Sequence, residues 1–372
     1  MKKILFTATV DSHILNFHLP YLKWFKEKGY EVHVASNGES KIPFVDVKHN
    51  ILFERSPYSI KNISAYINLK KIIDENNFII IHCNTPIGGV LTRLAARKAR
   101  VNGTKVIYTA HGFHFFKGSP LRNWVLYYPI EKWLSKYTDC LITINKEDYK
   151  MCTTSNFKAK SIKLVNGVGI DLNKFQNQTL VKKTELRKKY RYKDNDFILI
   201  YVAELSYKKH QDLIIDVVNL LYEKIPNMKF LILGSGKLSK QYKNKVNKLN
   251  LQNNVHFLGY RKDISNLMVM SDIAVSSSRR EGLPVNIMEA MATGLPLVVS
   301  DVRGNHDLVH NCENGYVVGI EDIKMFTSSI ESLYNSEELR NKFGEKSLEL
   351  IKTYSIENIM KEMEKIYMEC IN

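Results

Sequence analysis

Two glutamates eight residues apart, Glu281 and Glu289, stand in the run Arg280-Glu281-Gly282-Leu283-Pro284-Val285-Asn286-Ile287-Met288-Glu289-Ala290-Met291-Ala292-Thr293-Gly294-Leu295-Pro296. An apolar strand at 273–276 and the polar pair Ser277-Ser278 precede it. Pro284 suits the first turn of a helix, and Gly294 with Pro296 stops it. Glu281 then lies just before the helix and Glu289 about a turn and a half inside. A helix N-terminus offers unpaired backbone N–H groups that favour phosphate, while carboxylates accept hydrogen bonds from sugar hydroxyls. A nucleotide sugar satisfies both halves of such a site. Read blandly, the pair is a loop glutamate and a solvated helix glutamate; the full order of strand, serine turn, Glu-Gly, helix and Gly-x-Pro is rare by chance.

Elements able to position these residues run the length of the chain. Short β-branched apolar runs alternate with amphipathic segments, the pattern of βα units on parallel sheets. A first series predicts strands at 4–8, 31–35, 78–82, 105–109, 140–144 and 162–165, with helices including 14–28, 88–100 and 121–136. A second follows the polar stretch 171–196, with strands at 197–202, 228–233, 254–258, 273–276, 297–300 and 316–318. Residues 355–370 repeat apolar side chains at helical spacing and predict a closing helix. The expected domains are therefore 1–175, 176–354 and a terminal helix, 355–372, packing back toward the first. Open parallel sheets bind ligands at the carboxyl ends of their strands, which puts the expected site in a cleft between the two domains.

At 372 residues, with 44% hydrophobic and 25% charged residues, the composition is that of a globular protein. No run reaches the roughly 18 to 20 apolar residues of a membrane-spanning helix. The opening Met1 to Val10 mimics a signal peptide, but Asp11 ends it without a cleavage site, so it reads as a buried first strand. Five widely spaced cysteines without a Cys-x-x-Cys pair or a zinc-type Cys/His spacing point to a reducing cytoplasm and no structural metal. The net charge of +16 is uneven: residues 1–180 hold 26 Lys/Arg against 13 Asp/Glu, the remainder 28 against 25. A basic front half implies a polyanionic partner, an anionic membrane surface or nucleic acid, unless it reflects a Lys-rich genome.

The motif resembles the Glu-x7-Glu signature of retaining glycosyltransferases of family 4, with the GT-B fold of two Rossmann-like, doubly wound α/β domains. Thr109-Ala110-His111-Gly112-Phe113-His114, Tyr127-Tyr128-Pro129-Ile130-Glu131-Lys132-Trp133 and Asn166-Gly167-Val168-Gly169-Ile170-Asp171 look like exopolysaccharide and capsule glycosyltransferases of Gram-positive bacteria. The resemblance implies transfer of a sugar from a nucleotide donor, usually UDP-linked, with retention of configuration. It gives Glu289 the ribose hydroxyls, Glu281 the donor sugar, and the amides near Gly282 and Leu283 the sugar and phosphates. Lys209 matches the family lysine on the diphosphate and His111 the histidine on the donor sugar. The family's Gly-Arg-Leu is replaced by Ala203-Glu204-Leu205, a departure that leaves Arg280, Arg279 and Arg303 as candidates for the second cation.

Further residues take secondary places. Gly234, in Gly234-Ser235-Gly236 after a strand, could abut the nucleotide, and Tyr260 follows the next strand on the donor side. Asp11, His13 and the Gly88 loop are weak candidates for the acceptor side. Asp194-Asn195-Asp196 precedes a strand and reads as a turn rather than a metal-binding Asp-x-Asp. The full Gly-x-Gly-x-x-Gly, a Walker loop and a Gly-x-Ser-x-Gly elbow are missing, which argues against NAD enzymes, kinases and hydrolases. Basic and aromatic residues crowd two helices, Arg93, Arg97, Lys98 and Arg100 in one, Trp124, Tyr127, Tyr128, Trp133 and Tyr137 with Arg122, Lys132 and Lys136 in the other. Together they suggest an anionic leaflet. The expectation is a metal-independent enzyme on the inner face of the cell membrane. Its donor would be a UDP-sugar, its acceptor a lipid-linked saccharide, and the transferred group a hexosyl or N-acetylhexosaminyl unit. A nucleotide-sugar epimerase of the same fold, or a nucleic-acid-binding protein without a recognisable motif, is the rival.

Overall fold

A computed structural model describes residues 1–371, which divide into two compact units, residues 1–169 with 357–371 and residues 170–356. The division falls at Gly169/Ile170, earlier than the expected 175. The terminal helix belongs to the first unit from Glu357 onward.

The first unit is a seven-stranded sheet of β1 (Lys3–Val10), β2 (Glu31–Asn37), β3 (Val47–Asn50), β4 (Phe78–Asn84), β5 (Lys105–Ala110), β6 (Cys140–Thr143) and β7 (Ser161–Leu164). Its order is β3-β2-β1-β4-β5-β6-β7, and every pairing is parallel. Parallel strands buried on both faces read as continuous apolar runs, and Ile4, Leu5 and Phe6 are indeed fully buried. One face packs against the helices of residues 11–27 and against Ile359, Met363, Ile366 and Tyr367 of the closing helix Ile356–Ile371. The other packs against helices that include Lys61–Glu75, which the helix expectations did not include. The expected helix 14–28 is two helices, Asp11–Phe17 and Leu19–Glu27. Pro20 has no N–H to donate to the Asn16 carbonyl and its ring crowds that carbonyl, but it is tolerated in the first turn of a helix, so the chain breaks at His18 and a new helix starts at Leu19.

The second unit contains β8 (Phe197–Val202), β9 (Met228–Leu233), β10 (Val255–Gly259), β11 (Ile273–Ser276), β12 (Leu297–Ser300) and β13 (Gly315–Val318), in the order β10-β9-β8-β11-β12-β13. In both sheets the order reverses beside the first strand, between β1 and β4 and between β8 and β11. Loops leaving those strands diverge, and the crevice they open is where such sheets bind ligands.

Candidate active site

Lys209 lies in the loop after β8, and Glu281 in the loop after β11, the two strands flanking the reversal in the second sheet. Lys209 Nζ reaches Glu281 Oε1 at 2.5 Å, and Lys208 Nζ lies 4.0 Å from Oε2. Glu281 is 5% exposed. Burial is the largest influence on its carboxyl and disfavours charge. The ammoniums of Lys209 and Lys208, with hydrogen bonds from Lys209 and Ser278, outweigh it together and hold the carboxyl below the usual range. Burial pushes Lys208 down against the pull of Glu281, and Lys209, Arg280 and Arg303 add to that, so two lysines meet the carboxylate and two arginines lie near enough to act on Lys208. The surplus of positive charge is what a diphosphate requires.

Hydrogen bonds lock the two loops together. The Tyr201 hydroxyl on β8 donates to the Lys209 carbonyl at 2.6 Å, and the Ser277 hydroxyl to the His210 carbonyl at 2.6 Å. The Arg279 amide donates to the Lys208 carbonyl at 2.8 Å, and its guanidinium lies 2.8 Å from the Tyr207 carbonyl and 2.6 Å from His210 Nε2. Arg279 is thereby committed to structure. Arg303, buried, donates from Nε to the Glu281 carbonyl at 2.9 Å. Next to it, Gly304 has φ +76°, and a Cβ there would stand 2.2 Å from the Gly282 carbonyl oxygen. Only glycine permits that approach, which fixes the backbone at Gly282 and Leu283.

The helix after this loop is Val285–Ala292, with Pro284 extended at its N-cap and no side chain capping it. Its first amides are available to an anion. Glu289 is half-buried, and among the described residues no donor bonds its carboxylate. Burial raises its pKa to about 7 against a small opposing effect of Lys174. A desolvated carboxylate without a protein partner is what a diol-bearing ligand would complete. Gly234, φ +131°, lies where a Cβ would stand 2.0 Å from the Ala203 carbonyl oxygen, so it packs the β9 loop onto the β8 loop. Tyr260 follows β10 and is 79% exposed.

The first unit departs further from expectation. Asp11 is buried, accepting from the Ser36 hydroxyl at 2.6 Å and the Ser40 amide at 2.9 Å, with Lys48 Nζ at 2.9 Å. Its carboxylate is satisfied internally and anchors the loop after β2, so it does not stand ready for an acceptor. Gly88 is also misread: residues 86–95 are a helix rather than an open loop, and Gly88 is buried against Thr85 and the Ala8 backbone. His111 follows β5, with Nε2 3.3 Å from Asn84 Oδ1. His13 meets it edge-on, ring centroids 4.7 Å apart, and His18 joins them. Sequence spacing concealed this histidine cluster. At i, i+5 on an unbroken helix, His13 and His18 would point about 140° apart, and the break at His18 brings them together.

The basic helix is corrected as well. Arg93 is 1% exposed, paired with Glu131 Oε2 at 2.7 Å and stacked over the Tyr108 ring at 3.9 Å. Arg100 grips Asp139 with two bonds of 2.8 and 3.1 Å. Neither is available to lipid. Trp124, Tyr127 and Tyr128 pack partly against the core. The exposed apolar residues of the helix Leu121–Ser135 are instead Leu121, Val125, Leu126, Ile130 and Trp133. Among the described residues no helix is long and apolar enough to cross a membrane.

Residues 3–145 match the family model "Glycosyl transferase 4-like" and residues 182–349 match "Glycosyl transferases group 1". The chain is 45% identical to the "Putative glycosyltransferase EpsD" of Bacillus subtilis, over 98% of this chain and 96% of that protein. It is 32% identical to an Escherichia coli UDP-Gal:alpha-D-GlcNAc-diphosphoundecaprenol alpha-1,3-galactosyltransferase, over 73% of this chain and 70% of that one. The fold is that of the Anabaena protein HepE solved with UDP-glucose, with a TM-score of 0.80 at 17% identity, covering 99% of this chain and 100% of the other. The chain therefore shares the two-domain α/β fold of that protein and belongs to the group 1 glycosyltransferases.

Proposed function

We propose that the protein is a retaining, metal-independent glycosyltransferase that moves a hexosyl or N-acetylhexosaminyl unit from a UDP-sugar to a polyprenyl-diphosphate-linked saccharide in exopolysaccharide or capsule assembly. The observation that carries this reading is the pairing of Lys209 and Lys208 with the buried Glu281 carboxylate, with Arg303 on the Glu281 carbonyl, beside an uncapped helix N-terminus. In a glycosyl transfer, negative charge grows on the departing UDP. Fixed cations stabilise that charge most in the transition state, without reorganisation of solvent. Lys209 is the cation on the diphosphate, and Arg303, already held against the Glu281 backbone, replaces the family arginine absent at Glu204. Glu281 orients the donor sugar, Glu289 accepts from the ribose hydroxyls, and Gly234 and Tyr260 border the nucleotide. His111 contacts the donor sugar.

The acceptor class follows the Escherichia coli relative, whose name states a diphosphoundecaprenol-linked acceptor. Peripheral contact with an anionic inner leaflet is assigned to the exposed apolar face of Leu121–Ser135, flanked by Arg122, Lys132 and Lys136. Interfacial helices combine such apolar and basic residues. A panel of UDP-sugars tested by thermal shift, followed by turnover with lipid-linked acceptors, tests the whole reading. No stabilisation by UDP or any UDP-sugar would overturn it.

A further inference from the structure

The helix Lys61–Glu75 carries apolar stripes on two opposite sides. Ala65, Leu69 and Ile73 are buried against the sheet of the first unit. Ile63 and Ile67 stand two residues before Ala65 and Leu69, about 200° around the helix, and are 61% and 58% exposed. A helix on the surface of a soluble domain ordinarily turns polar and charged residues to solvent. The outward stripe continues into the loop before the helix, where Tyr58 and Ile60 are each 80% exposed. That loop is held in shape. The side chain of buried Asn62 accepts from the Glu54 amide at 3.0 Å and donates to the Ser56 carbonyl at 2.9 Å. One buried amide thus fixes a backbone that presents a tyrosine and an isoleucine to solvent.

We propose that Tyr58, Ile60, Ile63 and Ile67 form a second membrane-inserting element, which seats in the anionic leaflet beside Leu121–Ser135. The proposal rests on the peripheral membrane contact proposed above and adds the element that sets the orientation of the first unit on the bilayer. Contact through one helix face leaves the unit free to roll about that helix. A second, separate contact stops the roll. Arg97 joins the two: its guanidinium donates to the phenols of Tyr66, on the stripe's own helix, and Tyr137, just past Leu121–Ser135, and lies 5.5 Å from the Tyr137 ring centroid. Both helices cover the same face of the sheet, since Tyr66, Trp124 and Tyr128 pack against one core. Charge selects the occupant. Residues 55–73 contain Arg55, Lys61, Lys70 and Lys71 and no carboxylate. The carboxylates that reach these lysines, Glu54, Asp74 and Glu75, lie outside that stretch. Branched and aromatic apolar side chains flanked by cations suit the boundary of acyl chains and anionic headgroups. A second copy of the chain fits less well, because a two-fold contact sets this face against itself and brings like charges together.

The test uses the full chain and sedimentation with phosphatidylglycerol–phosphatidylcholine vesicles at low salt. Ile63→Asp with Ile67→Asp, and separately Tyr58→Ser with Ile60→Ser, should each lower the partition coefficient about tenfold while Tm holds. If the helix variant fails to fold by circular dichroism, the loop variant carries the comparison. Placement is read by a solvatochromic dye on Ile60→Cys, with Cys312→Ser and Cys370→Ser removing the thiols that are not buried. Its emission should move to the blue with these vesicles. The same dye on Lys23→Cys, in the helix Leu19–Glu27 that packs on the opposite face of the sheet, should not move. A parent that stays in the supernatant overturns the membrane contact of both helices. Binding that is lost in Val125→Asp with Ile130→Asp but kept in full by both stripe variants, with no dye shift at residue 60, overturns this proposal alone. So does a stripe variant that turns a dimer into a monomer by light scattering, which gives the face to a second copy.

Discussion

Lys209 Nζ and Glu281 Oε1 meet at 2.5 Å across 72 residues of sequence, inside a shell where Glu281 is almost wholly buried. The pair binds the loop after β8 to the loop after β11 and sets the charge of the candidate phosphate site. Lys209→Ala should lower turnover by roughly 10²-fold, the scale for losing one group that stabilises transition-state charge. Its effect on UDP affinity should be smaller, because the charge it meets is largest in the transition state. Equal losses in steady-state turnover and in UDP affinity by calorimetry would contradict the assignment.

Glu289→Ala should weaken UDP binding by about 1.5–3 kcal/mol, the range for hydrogen bonds to a charged group. Unchanged calorimetric affinity would remove Glu289 from the ribose site.

The raised pKa of Glu289 gives a second, opposite readout. A carboxyl whose folded pKa is about 7 against an ordinary 4.5 stabilises the fold fully below 4.5, and that contribution is lost as pH rises toward 7 and beyond. Glu289→Gln, neutral throughout, should therefore raise Tm at pH 8 and leave it unchanged at pH 4. UDP affinity of the parent should itself fall as pH drops below 7, since protonation removes the acceptor. A Tm difference that is the same at both pH values would refute the burial argument.

Transfer should proceed without a divalent ion, because the proposed site assigns the phosphates to fixed cations and a helix N-terminus. Activity that EDTA abolishes and Mg²⁺ or Mn²⁺ restores would reject this phosphate site.

Arg93→Ala should destabilise the fold by about 3–5 kcal/mol, the cost of leaving Glu131 buried and unpaired, with no specific effect on lipid. Liposome binding should depend instead on Val125, Ile130 and Trp133. Val125→Asp with Ile130→Asp should release the protein from anionic vesicles in sedimentation assays while its Tm holds. Retention of that double variant on vesicles would refute the assignment of this face.

Local patterns carried most of the elements. The apolar runs of β4 and β9, the helix following Glu281 and the 3.6-residue repeat in Ile356–Ile371 depend on neighbours in sequence, so periodicity and helix-stop residues reveal them. The Glu281/Glu289 pair was legible for the same reason, both residues belonging to one strand-loop-helix unit. What required tertiary structure was every relationship across strands. The sheet order places Lys209 beside Glu281, sequesters Arg93 and Arg100 against Glu131 and Asp139, closes Asp11 into its own loop, and gathers His13, His18 and His111 at one edge of the first reversal. Sequence shows that an arginine is charged. Whether that charge faces solvent or a buried carboxylate depends on which strands and helices become neighbours, and that is settled by packing a whole domain around one core.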